Sequence, residues 1–93
     1  MEQATQSGKV EILMFYSMSC ESCKKYLPVF KIAKNLYKDL ADFTEINIDT
    51  DSSKNSQYTL TAVPTTIAVK DGNILAKRVG EISAKEIRNM SKL

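Results

Sequence analysis

Residues Met18 to Lys25 read MSCESCKK, and they contain the only two cysteines of the chain, Cys20 and Cys23, with Glu21 and Ser22 between them. Sulfur at that spacing supports two chemistries. A dithiol can cycle with a disulfide: one thiolate attacks a partner's disulfide, and the second thiol resolves the mixed disulfide that forms. Alternatively, two thiolates clamp a soft metal ion. The 93-residue chain has no histidine, so a single copy lacks the four ligands of a mononuclear zinc site. No metal ligand set beyond the two thiols, and no cofactor, is expected.

Exchange chemistry assigns different tasks to the two sulfurs. At the start of a helix, residues three apart share one face, close enough for their sulfurs to bond. The free N–H groups and the dipole at a helix start favour a thiolate at Cys20. Cys20 is therefore the expected exposed nucleophile. Cys23, one turn further in and facing the core, is the expected resolving thiol. Glu21 and Lys24 should tune the attacking sulfur in opposite senses: Glu21 disfavours the thiolate, and Lys24 favours it. Lys24 and the dipole should prevail, because Glu21 is solvated and screened.

The elements around the pair can be read from periodicity. Lys9–Tyr16 (KVEILMFY) is almost continuously apolar and reads as a strand buried on both faces. From Cys20 to Leu40, apolar residues recur at helical steps (Cys23, Leu27, Phe30, Ala33, Leu36, Tyr37, Leu40), with Lys24, Lys31, Lys34 and Lys38 on the other face. Pro28 should kink this helix. Asp42–Asp49 suits a second strand, and Thr50–Tyr58 suits a short helix capped by Asp51 or Ser52. Thr65–Lys70 and Ile74–Val79 are two further strands, joined by a hairpin turn at Asp71-Gly72-Asn73. Ser83, with Glu86 three residues on, starts a final helix that runs to about Lys92. The order β-α-β-α-β-β-α predicts an α/β fold in which a four-stranded mixed sheet is flanked by helices, over residues 9–93, with residues 1–8 a tail.

Composition narrows the class. Hydrophobic residues make up 43% and charged residues 26%, which are ordinary globular values. A net charge of +2, with no run of Lys/Arg, gives no reason to expect a nucleic-acid partner. No apolar stretch reaches the roughly 18–20 residues of a membrane span, and the start MEQATQSGK lacks the layout of a secretory signal. The expected compartment is the cytoplasm, where two cysteines do not serve as a structural staple.

The element order, with C-x-x-C at the first helix start, resembles the thioredoxin family. Pro28 stands five residues after Cys23, and Phe15 stands five before Cys20, both in the family's register. Asn47-Ile48-Asp49, Lys70-Asp71-Gly72 and Arg78-Val79-Gly80 resemble its strand-end and turn segments. Ala62-Val63-Pro64-Thr65 resembles its Ile/Val-Pro-Thr hallmark, whose proline is cis. The resemblance covers residues 9–92. It implies a thioredoxin-like fold and a monomeric thiol–disulfide oxidoreductase that acts on protein disulfides, with a reductase such as thioredoxin reductase as electron donor. It also implies that Val63, cis-Pro64, Gly80 and Tyr16, with Met18 beside them, meet the substrate.

The departures concern the site itself. Ser19 stands where thioredoxins usually carry tryptophan, Glu21-Ser22 stands in place of Gly-Pro, and Met14 occupies the position of a buried aspartate. Without that acid, release of the mixed disulfide should be slow near neutral pH. Val79-Gly80-Glu81 lacks the Gly-Gly pair of glutaredoxins, so a glutathione site is not expected. A different class is also open, because M-S-C-E-S-C resembles the M-x-C-x-x-C of copper-carrying domains. Those domains end in a strand, however, and this chain ends in a capped helix.

Overall fold

The computed structural model describes residues 8–93, so the reading of 1–8 as a tail falls, except for exposed Gly8, outside the described residues. The central strand is β1 (Val10–Tyr16). Its pleat sends Val10, Ile12 and Met14 to one face and Leu13 and Phe15 to the other, and all five are buried. The continuous apolar run in the sequence has this cause: both faces of the strand are covered.

Strand β2 (Ala41–Asn47) lies parallel to β1 on one side, in register from Val10↔Ala41 to Tyr16↔Asn47. On its other side β1 pairs antiparallel with β3 (Thr65–Lys70), and β3 pairs antiparallel with the edge strand β4 (Asn73–Val79). The sheet order is β2-β1-β3-β4. Asp71 and Gly72 both take positive φ, 53° and 82°, as the two central residues of a type I′ hairpin turn require.

Two helices pack on one face of this sheet, α1 (Glu21–Tyr37) and α2 (Ala84–Ser91). Tyr26, Phe30 and Ala33 of α1 meet Ile87 and Met90 of α2 over Ile12, Met14 and Ala68. Each large side chain buried here contributes roughly 1.5–3 kcal/mol. Helix α1 runs on through Pro28, and α2 begins at Ser83, whose hydroxyl accepts the Glu86 N–H. Glu86 does not complete a reciprocal box; its carboxylate takes Arg78 Nε at 2.8 Å.

The helix expected over Thr50–Tyr58 does not form. Residues 53–59 are a succession of turns, closed by bonds such as Asn55 N–H to the Ser52 carbonyl and Tyr58 N–H to that of Lys54. Two things favour turns here: Tyr58 is drawn onto Phe15 of the sheet, and local side-chain bonds compete with helix formation. Asp51 takes the Ser53 N–H at 3.0 Å and the Ser53 hydroxyl at 2.6 Å, which holds a local turn. The segment then ends in Thr59 at φ 50°, outside any helix. The second sheet face is therefore covered by this turn-rich segment, with Tyr58, Ile48, Leu60 and Val63 laid on Leu13, Phe15, Ile46, Ile67 and Val69. Flanking by helices holds for one face only, and the order among the described residues is β-α-β-β-β-α.

Candidate active site

The two cysteines meet where β1 gives way to α1. Cys20 is the N-cap of α1 and not its first helical residue, with φ −99° and ψ 118°. Its sulfur accepts the Cys23 N–H at 3.1 Å, the task an N-cap Ser or Asp oxygen performs elsewhere. Its backbone N–H reaches the Ser17 carbonyl at 3.2 Å, and its thiol points to the Val63 carbonyl at 3.6 Å. Cys20 is partly exposed, whereas Cys23 is 0% exposed; both are free thiols. Burial pushes the Cys23 thiol up to about 11. The hydrogen bond and charge of Cys20 and the charge of Asp49 add to this rise, and a backbone hydrogen bond from Ser17 opposes it.

Around this pair stand three loops. The Val63–Pro64 peptide bond is cis, and it carries the Val63 carbonyl that faces Cys20. Gly80, at φ 94°, donates its N–H to the Pro64 carbonyl at 2.7 Å, joining the end of β4 to the same wall. Beyond it, Glu81 accepts the hydroxyl of Ser22 at 3.0 Å. On the far side, Asp49 lies in the turn after β2. It accepts the Ser17 hydroxyl at 3.0 and 3.1 Å and the Met18 N–H at 3.2 Å.

The expected site residues are not all gathered on one surface. Cys20, Cys23, Val63, Pro64 and Gly80 converge. Tyr16 packs against the helix-side core, whereas Val63 belongs to the opposite one, so the two do not share an apolar patch. Met18 is 49% exposed beside Cys20. Glu21 and Lys24 meet each other at 3.4 Å on the solvated helix surface, so the two charges offset one another there. Met14 is fully buried in the helix-side core, with Tyr26 and Ala68.

Sequence reading gave no task to Ser17, Asp49 as a side chain, or Glu81. A signal for the first pair lies in the parallel register. Tyr16↔Asn47 is the last partnered position of β1 and β2, so the residues just beyond it come together. Nothing local in the sequence points to Ser22–Glu81, which are separated by 59 positions.

An accessible and a buried thiol at a helix N-terminus, facing a cis-proline loop on a mixed sheet, define a thioredoxin-fold dithiol site. The thioredoxin family model matches residues 1–92. The chain is similar to the thioredoxin of Mycoplasmoides gallisepticum, 29% identical over 94 residues that span 99% of this chain and 91% of that one. It is 30% identical to the thioredoxin of Staphylococcus aureus over 79 residues, 85% of this chain and 75% of that one. Among solved structures, reduced Schistosoma mansoni thioredoxin pre-protein superposes with a TM-score of 0.79 at 30% identity, covering 90% of this chain and 77% of that one. The germline-specific thioredoxin Deadhead of Drosophila melanogaster gives a TM-score of 0.81 at 26% identity, covering 91% and 81%. The chain belongs to the thioredoxin family, and with it to the thiol–disulfide oxidoreductases.

Proposed function

We propose that this protein reduces or exchanges disulfides in protein substrates, with Cys20 as nucleophile and Cys23 as resolving thiol. The observation that carries the reading is the Cys23 N–H bond to the Cys20 sulfur at 3.1 Å, which sets a partly exposed thiol at the cap of the helix that buries the other. The Cys20 thiolate attacks a substrate disulfide, forms the mixed disulfide and expels one substrate thiolate. Cys23 then gives up its proton and attacks the Cys20 sulfur. The Cys20–Cys23 disulfide forms, and the second substrate thiolate leaves. Two electrons pass from the dithiol to the substrate, and a thioredoxin reductase restores them.

Substrate backbone pairs along Val63-Pro64, whose Val63 carbonyl faces the Cys20 sulfur and which Gly80 braces through the Pro64 carbonyl. Met18 supplies apolar contact, and Tyr16 supports the floor of the site from the helix side. The protein works as a monomer in the cytoplasm. Among the described residues no helix is long and apolar enough to cross a membrane. Full burial of Cys23 favours exchange over copper carriage, because a copper clamp presents both thiolates to the ion.

Insulin reduction with NADPH and thioredoxin reductase tests the reading. Turnover that disappears in Cys20→Ser supports it, and turnover unchanged in that variant contradicts it. Titration of the reduced protein with Cu(I) tests the rival: the exchange reading expects no tight stoichiometric complex, and a tight one would favour the carrier.

A further inference from the structure

Ser17 meets the backbone of Cys20, the thiol of Cys23 and a carboxylate. Its carbonyl accepts the Cys20 N–H at 3.2 Å, and its backbone N–H supports the Cys23 sulfur. Its hydroxyl donates to both oxygens of Asp49, at 3.0 and 3.1 Å. A hydroxyl has one proton to give. With that proton on Asp49, the Ser17 oxygen becomes the acceptor for the Ser19 hydroxyl at 2.9 Å and the Ser19 N–H at 3.2 Å. Asp49 also takes the Met18 N–H at 3.2 Å. Side chain and backbone of the whole Ser17–Ser19 turn are thus organised from a single carboxylate, carried on the turn that follows the neighbouring strand.

We propose that Asp49 is a positioning residue of the exchange reaction: through the Ser17 hydroxyl it fixes the turn that adjoins both cysteines, and it sets a negative charge near the resolving thiol. The inference rests on the assignment of Cys20 and Cys23 above. Charged groups lie around the dithiol segment on three elements. Helix α1 brings Cys20 and the exposed Glu21–Lys24 pair, the loop after β4 brings Glu81, held by Ser22, and the turn after β2 brings Asp49. Of these, Cys20 and Asp49 act on the Cys23 sulfur, both against its ionisation.

The reaction itself separates their effects. Once Cys20 is consumed in a mixed disulfide, its charge is gone and that of Asp49 persists. In the resolving step the Cys23 thiol releases its proton to water. The resulting thiolate forms the Cys20–Cys23 bond, and the Cys20–substrate bond breaks to release a thiolate. Burial first, then the opposing backbone hydrogen bond of Ser17, and then Asp49 set how readily that proton leaves. Buried Met14 brings no charge to the interior, so the carboxylate that acts on Cys23 comes from the turn after β2 and stays open to solvent.

The reaction of the reduced protein with 5,5′-dithiobis(2-nitrobenzoate) resolves the two steps. One thionitrobenzoate is released as Cys20 attacks, and a second as Cys23 displaces the other half. Asp49→Asn keeps an acceptor for Ser17 and deletes the charge. It should move the pH midpoint of the second release downward and speed that release at pH 7 by about threefold or more. Asp49→Ala should share the shift and also slow the first release, because Ser17 loses its anchor. Asp49→Glu should return the midpoint towards that of the unmodified protein. A second release in Asp49→Asn with an unchanged midpoint overturns the proposal. So does one that is slower at every pH, which would make Asp49 a proton acceptor. Absence of any second release from the unmodified protein would overturn the Cys20–Cys23 assignment itself.

Discussion

The backbone N–H of Cys23 donates to the sulfur of Cys20 at 3.1 Å, so the residue proposed to attack is also the cap of the helix that carries its proposed partner. The Cys20 sulfur therefore has a structural task, which the proposed reaction would disturb on formation of a mixed disulfide.

The double role separates two substitutions at Cys20. Serine is a preferred N-cap residue and alanine is a poor one, at a typical cost of about 1 kcal/mol. Urea unfolding of the reduced proteins should find Cys20→Ser at least as stable as the unmodified protein. Cys20→Ala should be less stable than Cys20→Ser by about 1 kcal/mol, although both should be inactive. Equal stabilities would mean that the sulfur does not cap the helix.

Tyr26 supplies a pH dependence of stability. Its hydroxyl shares a buried hydrogen bond with Thr66 at 2.7 Å, and burial pushes the phenol up to about 12 from an ordinary value near 10. Because the folded state holds this proton longer than the unfolded chain does, the contribution is complete below about pH 10 and is lost as the pH rises towards 12. Tyr26→Phe removes that titration and leaves the Thr66 hydroxyl without this partner. At pH 7 the variant should be less stable by about 1 kcal/mol. Between pH 10 and 12 the unmodified protein should lose roughly 2–3 kcal/mol more than the variant. Parallel stability profiles for the two proteins would contradict this.

Lys77 ties the turn-rich segment to the sheet. Its ammonium donates to the Tyr58 carbonyl at 3.1 Å and the Thr59 carbonyl at 2.7 Å, holding Thr59 in the left-handed region at φ 50°. A β-branched residue pays for that conformation, and glycine does not. Lys77→Ala should destabilise by about 1–2 kcal/mol and speed amide exchange at Leu60, whose N–H bonds the Asn55 carbonyl. Thr59→Gly should stabilise by about 0.5–1 kcal/mol. Exchange at Leu60 unaltered by Lys77→Ala would remove the lysine from this role.

Particular residues show why the fold was largely legible in the sequence and the site only in part. The run Val10–Tyr16 has no polar interruption except Glu11, and Asp71-Gly72 admits few conformations besides a tight hairpin. Both signals are local. The segment after Thr50 misled because Asp51, Ser52 and Ser53 fit a helix cap as well as they fit a free-standing turn. Their choice depended on the cover that Tyr58 gives Phe15, across a ring separation of 5.7 Å. The pair of thiols was legible from its spacing. The Ser17–Asp49 bond joins residues 32 apart, and it exists only because the crossover sets β2 beside β1. Glu21 and Lys24 were read as opposing influences on the sulfur, but their exposed side chains offset each other first.

The division of labour between the two sulfurs is tested most directly by trapping. Cys23→Ser, mixed with a disulfide-containing protein such as insulin and quenched with acid, should accumulate a covalent adduct on Cys20, seen as a mass increase that dithiothreitol removes. Cys20→Ser under the same conditions should form none, since its remaining thiol at Cys23 is fully buried. An adduct that accumulates on Cys23 in Cys20→Ser, or none in Cys23→Ser, would contradict the account of Cys20 as attacker and Cys23 as resolver.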